Sequence, residues 1–101
     1  MDTADKRRAP RANVAVTCAL RRRSGASIAA ETVNLGPGGT LVRTRRPLSI
    51  DESLDFELDT RIAAPARVLR HEGHDVYALR FENPPELMVR RLQELASGAS
   101  L

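Results

Sequence analysis

The chain has 101 residues, a 42% hydrophobic share and a net charge of +3, enough for one globular domain with a single modest core. Its apolar stretches are too short to span a membrane, and none follows the basic start as a secretory signal would require. The lone Cys18 excludes an internal disulfide, so a cytoplasmic location is expected.

Charge is unevenly distributed. Residues 1–25 hold seven basic and two acidic groups, a balance of +5, while the other 76 residues hold nine basic and eleven acidic. An anionic ligand or partner near the start of the chain fits that asymmetry, as does a solvated basic arm. Residues 1–12 carry no apolar periodicity and are expected to form a flexible arm, with the folded domain over 13–97.

From Asn13 the pattern takes a period of two. Val14, Val16, Cys18 and Leu20 share one face of a half-buried strand, which places Cys18 in the core rather than in catalysis. Arg21–Gly25 is predicted as a hairpin connection, and Ala26–Val33 as the second strand. Asn34-Leu35-Gly36-Pro37-Gly38-Gly39 then forms a turn that should interrupt pairing, its glycines supplying positive φ angles. A third strand over Thr40–Thr44 ends before Pro47.

Leu54, Phe56 and Leu58 alternate with Asp55, Glu57 and Asp59, which marks a fourth strand with one wet face. Arg61–Arg70 supplies a fifth, where Pro65 implies an edge position or a bulge. His71–Asp75 is predicted as a turn and Val76–Phe81 as the sixth strand. Asn83 as N-cap, Pro84 at the first helical position and Glu86 in the first turn open a helix that Gly98 ends. Its apolar stripe is Leu87, Met88, Leu92, Leu95 and Ala96, interrupted by the stem of Arg91. Six closely spaced strands and one terminal helix point to a mainly β fold, a small antiparallel barrel or half-open sandwich.

Two segments carry the functional signal. Arg7-Arg8-Ala9-Pro10-Arg11 concentrates guanidinium groups on a stretch that proline keeps out of a regular helix. Guanidinium forks bind phosphate and the acceptor edge of guanine, and the arginines at positions 7 and 11 stand about 13 Å apart when extended. Asn34 offers an amide for a base edge, and the glycines of its turn leave room for a planar base near the backbone.

An RxxxR start followed, after two strands, by [D/N]xSxxG on a turn resembles the PilZ domains, bacterial receptors for cyclic di-GMP. Arg7 and Arg11 match the first motif, with Arg8 as its doubled arginine; Asn34 and Gly39 match the second. Gly36 departs from the pattern, standing where the family carries serine. The resemblance covers nearly the whole chain and implies a six-stranded antiparallel β-barrel with a C-terminal helix. It implies cyclic di-GMP as ligand, with Arg7, Arg8 and Arg11 on phosphates and guanine edges and Asn34 on a base edge. Gly36 and Gly39 would allow close approach. By the same resemblance the arm closes over the ligand, and a separate, unidentified partner protein reads the rearranged surface. The alternative is a PilZ-like adaptor that binds nucleotide weakly or not at all and acts through protein contacts.

The remaining features have plainer readings. Arg21-Arg22-Arg23 and Arg43, Arg45, Arg46 are charge runs expected to be solvated, Arg43 being the one placed to assist a ligand. Nucleic-acid binding lacks an interleaved aromatic set, since Phe56, Tyr77 and Phe81 are the only aromatic residues. His71 and His74 lack a further fixed ligand and are read as turn residues, so no metal and no cofactor are expected. No nucleophile has a recognisable base beside it, so no catalysis is expected.

Overall fold

The computed structural model describes residues 13–59 and 62–98. Six strands precede one helix: β1 (Thr17–Arg22), β2 (Ser27–Gly36), β3 (Gly39–Arg43), β4 (Ser53–Asp59), β5 (Ile62–Gly73), β6 (Val76–Phe81) and α1 (Glu86–Gly98). All pairings are antiparallel, and the strands close into a barrel in the order β1-β2-β3-β6-β5-β4. Closure removes the free edges that an open sheet must protect.

Period-two alternation directs Leu20, Ile28, Val42, Phe56, Val68 and Leu79 to the interior. A six-stranded barrel is narrow enough for side chains alone to fill it. Phe56 and Phe81 meet there with ring centroids 5.2 Å apart and planes tilted by 52°. Each such side chain contributes about 1.5–3 kcal/mol by leaving water.

The helix packs against β2 and β5, which lie on opposite sides of the ring, so it crosses one end of the barrel. Met88 and Leu92 are fully buried and Leu95 is partly buried against the same core. Leu87, placed by its spacing in the apolar stripe, is instead 56% exposed. Met88 and Leu92, four residues apart, lie one above the other on the inward face with Leu95 a further turn on, and Leu87 falls beside that face.

Several element ends differ from the sequence-based expectation. Arg21 and Arg22 belong to β1: Arg21 faces solvent on the outer side, while Arg22, on the same side as Leu20, lies at the end of the strand, where Glu52 pairs with it. The turn after them is tighter: the amide of Gly25 donates to the Arg22 carbonyl at 2.8 Å, with Gly25 at φ 97°. His71 likewise belongs to β5, where its ring stacks on Tyr77 at 4.4 Å and meets the His74 carbonyl.

Pro65 sits neither on an edge nor at a register shift, lying opposite Asp55 in mid-strand. Its carbonyl accepts from the Glu82 amide at 2.8 Å, so its missing N–H faces the same side, just past the last residue of β6. Proline therefore forgoes only the reciprocal bond to the Glu82 carbonyl, at the last rung of the ladder. Asn83 is not the N-cap: it adopts φ 48°, and the helix begins only at Glu86. The carbonyl of Pro85 accepts the first helical bond, from Val89 at 3.1 Å. Asparagine tolerates the left-handed conformation, and two consecutive prolines delay the helix.

Candidate functional site

Asn34 owes its position to a bulge. Thr32 pairs with Val42 and Asn34 with Leu41, so Val33 is an extra residue on β2. Before the bulge even-numbered residues point inward (Ile28, Ala30, Thr32); after it Leu35 does. Without the extra residue Asn34 would face the core. With it, the amide lies half-buried on the outer side, next to Leu41.

The amide is already fixed by the sheet. Its Oδ1 accepts from the Leu41 N–H at 3.3 Å, and the Asn34 carbonyl accepts from the Thr40 hydroxyl at 2.6 Å. Because the oxygen faces the backbone, the NH₂ end is the part available to a ligand, and it is a pure donor.

The expected break in pairing across Asn34–Gly39 does not occur. β2 runs through Gly36, Leu35 pairs with Thr40 and Gly36 with Gly39, which leaves Pro37-Gly38 as a two-residue hairpin turn. The Gly38 carbonyl accepts from the Phe81 amide at 3.0 Å, tying the turn to β6. Neither Gly38 nor Gly39 has a left-handed φ, contrary to the expectation for this turn. Gly39 is required for a different reason. A Cβ there would lie 2.3 Å from the Leu79 carbonyl oxygen, so two barrel backbones meet at that glycine. Gly36 is buried beside it.

Thr32 was not singled out by the sequence, yet it anchors the chain's approach to this corner. Its buried hydroxyl accepts from the Val16 amide at 2.8 Å and donates to the Val14 carbonyl. The Thr32 amide in turn donates to the Val16 carbonyl at 3.0 Å. Residues 14–16 are thereby fixed two positions from Asn34. A threonine among apolar inward positions gives little sequence signal, because the hydroxyl's partners lie on the segment before β1, far away in the sequence. Arg7, Arg8 and Arg11 lie outside the described residues.

The other titratable groups are accounted for locally. Arg22 binds Glu52 at 2.8 Å and the Pro47 carbonyl at 2.6 Å, holding the β3–β4 connection against β1. Arg21 pairs with Glu57 at 2.8 Å, and Arg67 with Glu82 at 3.0 Å. Two members of the supposedly solvated basic segments are thus structural. Arg43 lies on the outer face with Leu41 and is 3.7 Å from Asp75. Burial, with a smaller contribution from Glu31, pushes the Cys18 thiol up to about 12, leaving it protonated and inert. Among the described residues, no group of three or more His, Cys, Asp or Glu side chains could hold a metal ion. Among them too, no helix is long and apolar enough to cross a membrane.

A closed six-stranded antiparallel barrel, capped by a helix and carrying a bulged β2–β3 hairpin, defines one class of small β-barrel domain. The PilZ domain model matches residues 5–98, and the chain belongs to that family. Three solved structures share the fold. The PilZ domain of CeSA from a cellulose-synthesizing bacterium superposes with a TM-score of 0.70 at 17% identity, covering 91% of this chain and 99% of that one. YcgR from Escherichia coli in complex with c-di-GMP gives 0.71 at 14% identity, covering 94% of this chain but 46% of that longer one. The PilZ domain of YcgR with c-di-GMP, also from Escherichia coli, gives 0.68 at 14% identity, covering 94% and 92%. No curated protein sequence matches the chain.

Proposed function

We propose that this domain is a receptor for cyclic di-GMP, bound between the arginine segment and the bulged end of the β2–β3 hairpin. Arg7, Arg8 and Arg11 supply guanidinium forks for phosphates and guanine edges. Asn34 donates from its NH₂ group to an acceptor edge, which O6 and N7 of guanine provide. Gly36 leaves room for a base on the outer face, and Gly39 keeps the hairpin seated against β6.

The observation that carries this reading is the Thr32 anchor. Arg11 is three residues upstream of Val14, a reach of at most about 10 Å, and Arg7 is within about 25 Å. Asn34 is two residues beyond Thr32, so the chain length allows both motifs to reach one corner of the barrel. Binding would draw the segment over the hairpin, and a partner protein would read the new surface. A cytoplasmic location belongs to the same proposal. As a receptor the domain performs no chemistry on its ligand.

Titration calorimetry of the full chain with cyclic di-GMP tests it. Binding is expected, with Arg7→Ala and Arg11→Ala each weakening it about tenfold or more. Gly36→Ser, which restores a hydroxyl worth about 0.5–1.5 kcal/mol, should bind at least as tightly. A loss of affinity in that variant would show that the two motifs do not share a site. Gly36 also favours the second reading, a PilZ-like adaptor acting through protein contacts. Absence of heat at high nucleotide concentration would select the adaptor.

A further inference from the structure

The other end of β2 differs from the hairpin end. β2 has ten residues and β3 only five, and their pairing stops at Glu31 and Arg43. Ser27–Ala30 therefore extend past β3 and pair with β1 alone. Arg22 donates to the Ala26 carbonyl and Thr32 to that of Val16, so even-numbered residues of β2 turn their backbone groups toward β1. Ser27 and Ala29 turn theirs the opposite way, toward the space that β3 has left. The Thr44 hydroxyl donates to the Ala29 carbonyl at 3.2 Å. Among the described residues, the Ser27 and Ala29 amides have no hydrogen-bond partner. Where β2 outruns β3, the barrel thus keeps a short open edge.

That edge borders a surface cleft of about 550 Å³ between Ser27–Glu31 and Arg43–Arg46. Ser27 and Ala29 are small and exposed, so an incoming backbone can come close. Across the cleft stand Arg43, Arg45 and Arg46, with Glu31 and Asp75 as the only carboxylates. Arg23, Arg45 and Arg46 are exposed and make no ion pair among the described residues.

We propose that this cleft is a docking groove in which an extended acidic segment of a partner protein adds to the open edge of β2. Backbone pairing to Ser27 and Ala29 would fix the segment, and its carboxylates would face Arg45 and Arg46. A nucleotide fits less well, because it has no extended backbone to pair with the Ser27 and Ala29 amides, whereas a protein segment does. The groove lies at the far end of β2 from Asn34 and does not depend on the nucleotide reading.

The probe is a synthetic octapeptide alternating valine and glutamate, followed by backbone-amide NMR on the full chain. Expected are shifts and slowed exchange at Ser27 and Ala29, together with shifts at Arg43–Arg46. Arg45→Glu combined with Arg46→Glu should weaken the peptide about tenfold or more while leaving the remaining spectrum unchanged. Methylating alternate peptide nitrogens should abolish binding, and a valine–lysine peptide should not bind. The proposal is overturned if the acidic peptide leaves Ser27–Glu31 unperturbed, if the charge reversal has no effect, or if the N-methylated peptide binds equally well. It is equally overturned if cyclic di-GMP, rather than the peptide, moves these resonances, since the cleft would then belong to the nucleotide.

Discussion

At its Gly36 end β2 is bulged, outruns β1 to pair with β3, and its hairpin is pressed against the backbone of β6; at its Ser27 end it outruns β3 and pairs with β1 alone. The first end satisfies its own polar groups: Asn34 bonds Leu41, Thr40 bonds Asn34, and Gly38 bonds Phe81. The second leaves two amides without a partner among the described residues, beside a cationic wall. The difference shows two ways in which one strand can prepare a surface. A rigid end presents a few fixed donors to a compact ligand, while an unfinished end presents backbone to another chain.

Substitutions along β2 and its contacts put that contrast at risk. Gly39→Ala should cost the most, about 3 kcal/mol in urea unfolding, because its methyl would collide with the Leu79 carbonyl. A fully stable variant would mean that the closed end is looser than its geometry indicates. Thr32→Val keeps the side-chain shape but leaves the Val14 carbonyl and Val16 amide unpaired, for about 2 kcal/mol. Hydrogen exchange at Val16 should accelerate in the same variant, and unchanged protection would remove Thr32 as the anchor. Arg22→Met, which loses Glu52 and the Pro47 carbonyl, should cost about 1.5 kcal/mol. Faster exchange at Asp51 and Glu52 is its signature. Ala29→Thr, on the exposed open end, should change stability by less than about 0.5 kcal/mol. A cost there matching that of Gly39→Ala would erase the distinction between the two ends.

Periodicity was enough to place six strands and a terminal helix, because the alternation of Leu54, Phe56 and Leu58 with carboxylates depends on one chain segment alone. What escaped depends on two segments at once. The bulge at Val33 is a mismatch in residue count between β2 and β3, which neither strand reveals by itself. Arg22 resembles a loop residue until Glu52, thirty positions away, is seen to hold it. Leu87 fits the helical spacing but falls off the face that meets the barrel end. The candidate site was half legible for the same reason. Asn34 and the glycines could be found from their order, but Thr32, which fixes the chain beside them, shows its value only across a strand pair.

Ring closure also sets a clock. The β1–β2 and β2–β3 hairpins join near neighbours, whereas β1 must find β4 (Ala19 with Glu57) and β3 must find β6 (Gly39 with Arg80) across much longer stretches of chain. Loop-closure entropy makes such distant seams the slow steps of assembly. The Thr32 anchor belongs to the early hairpin, so it should acquire protection first, while the seat of Gly39 on Leu79 waits for β6 to be made and docked. Pulse-labelled exchange during refolding would read that order directly; simultaneous protection of Val16 and Phe81 would refute it. The corner proposed to bind a ligand is thus completed by the last strand to arrive.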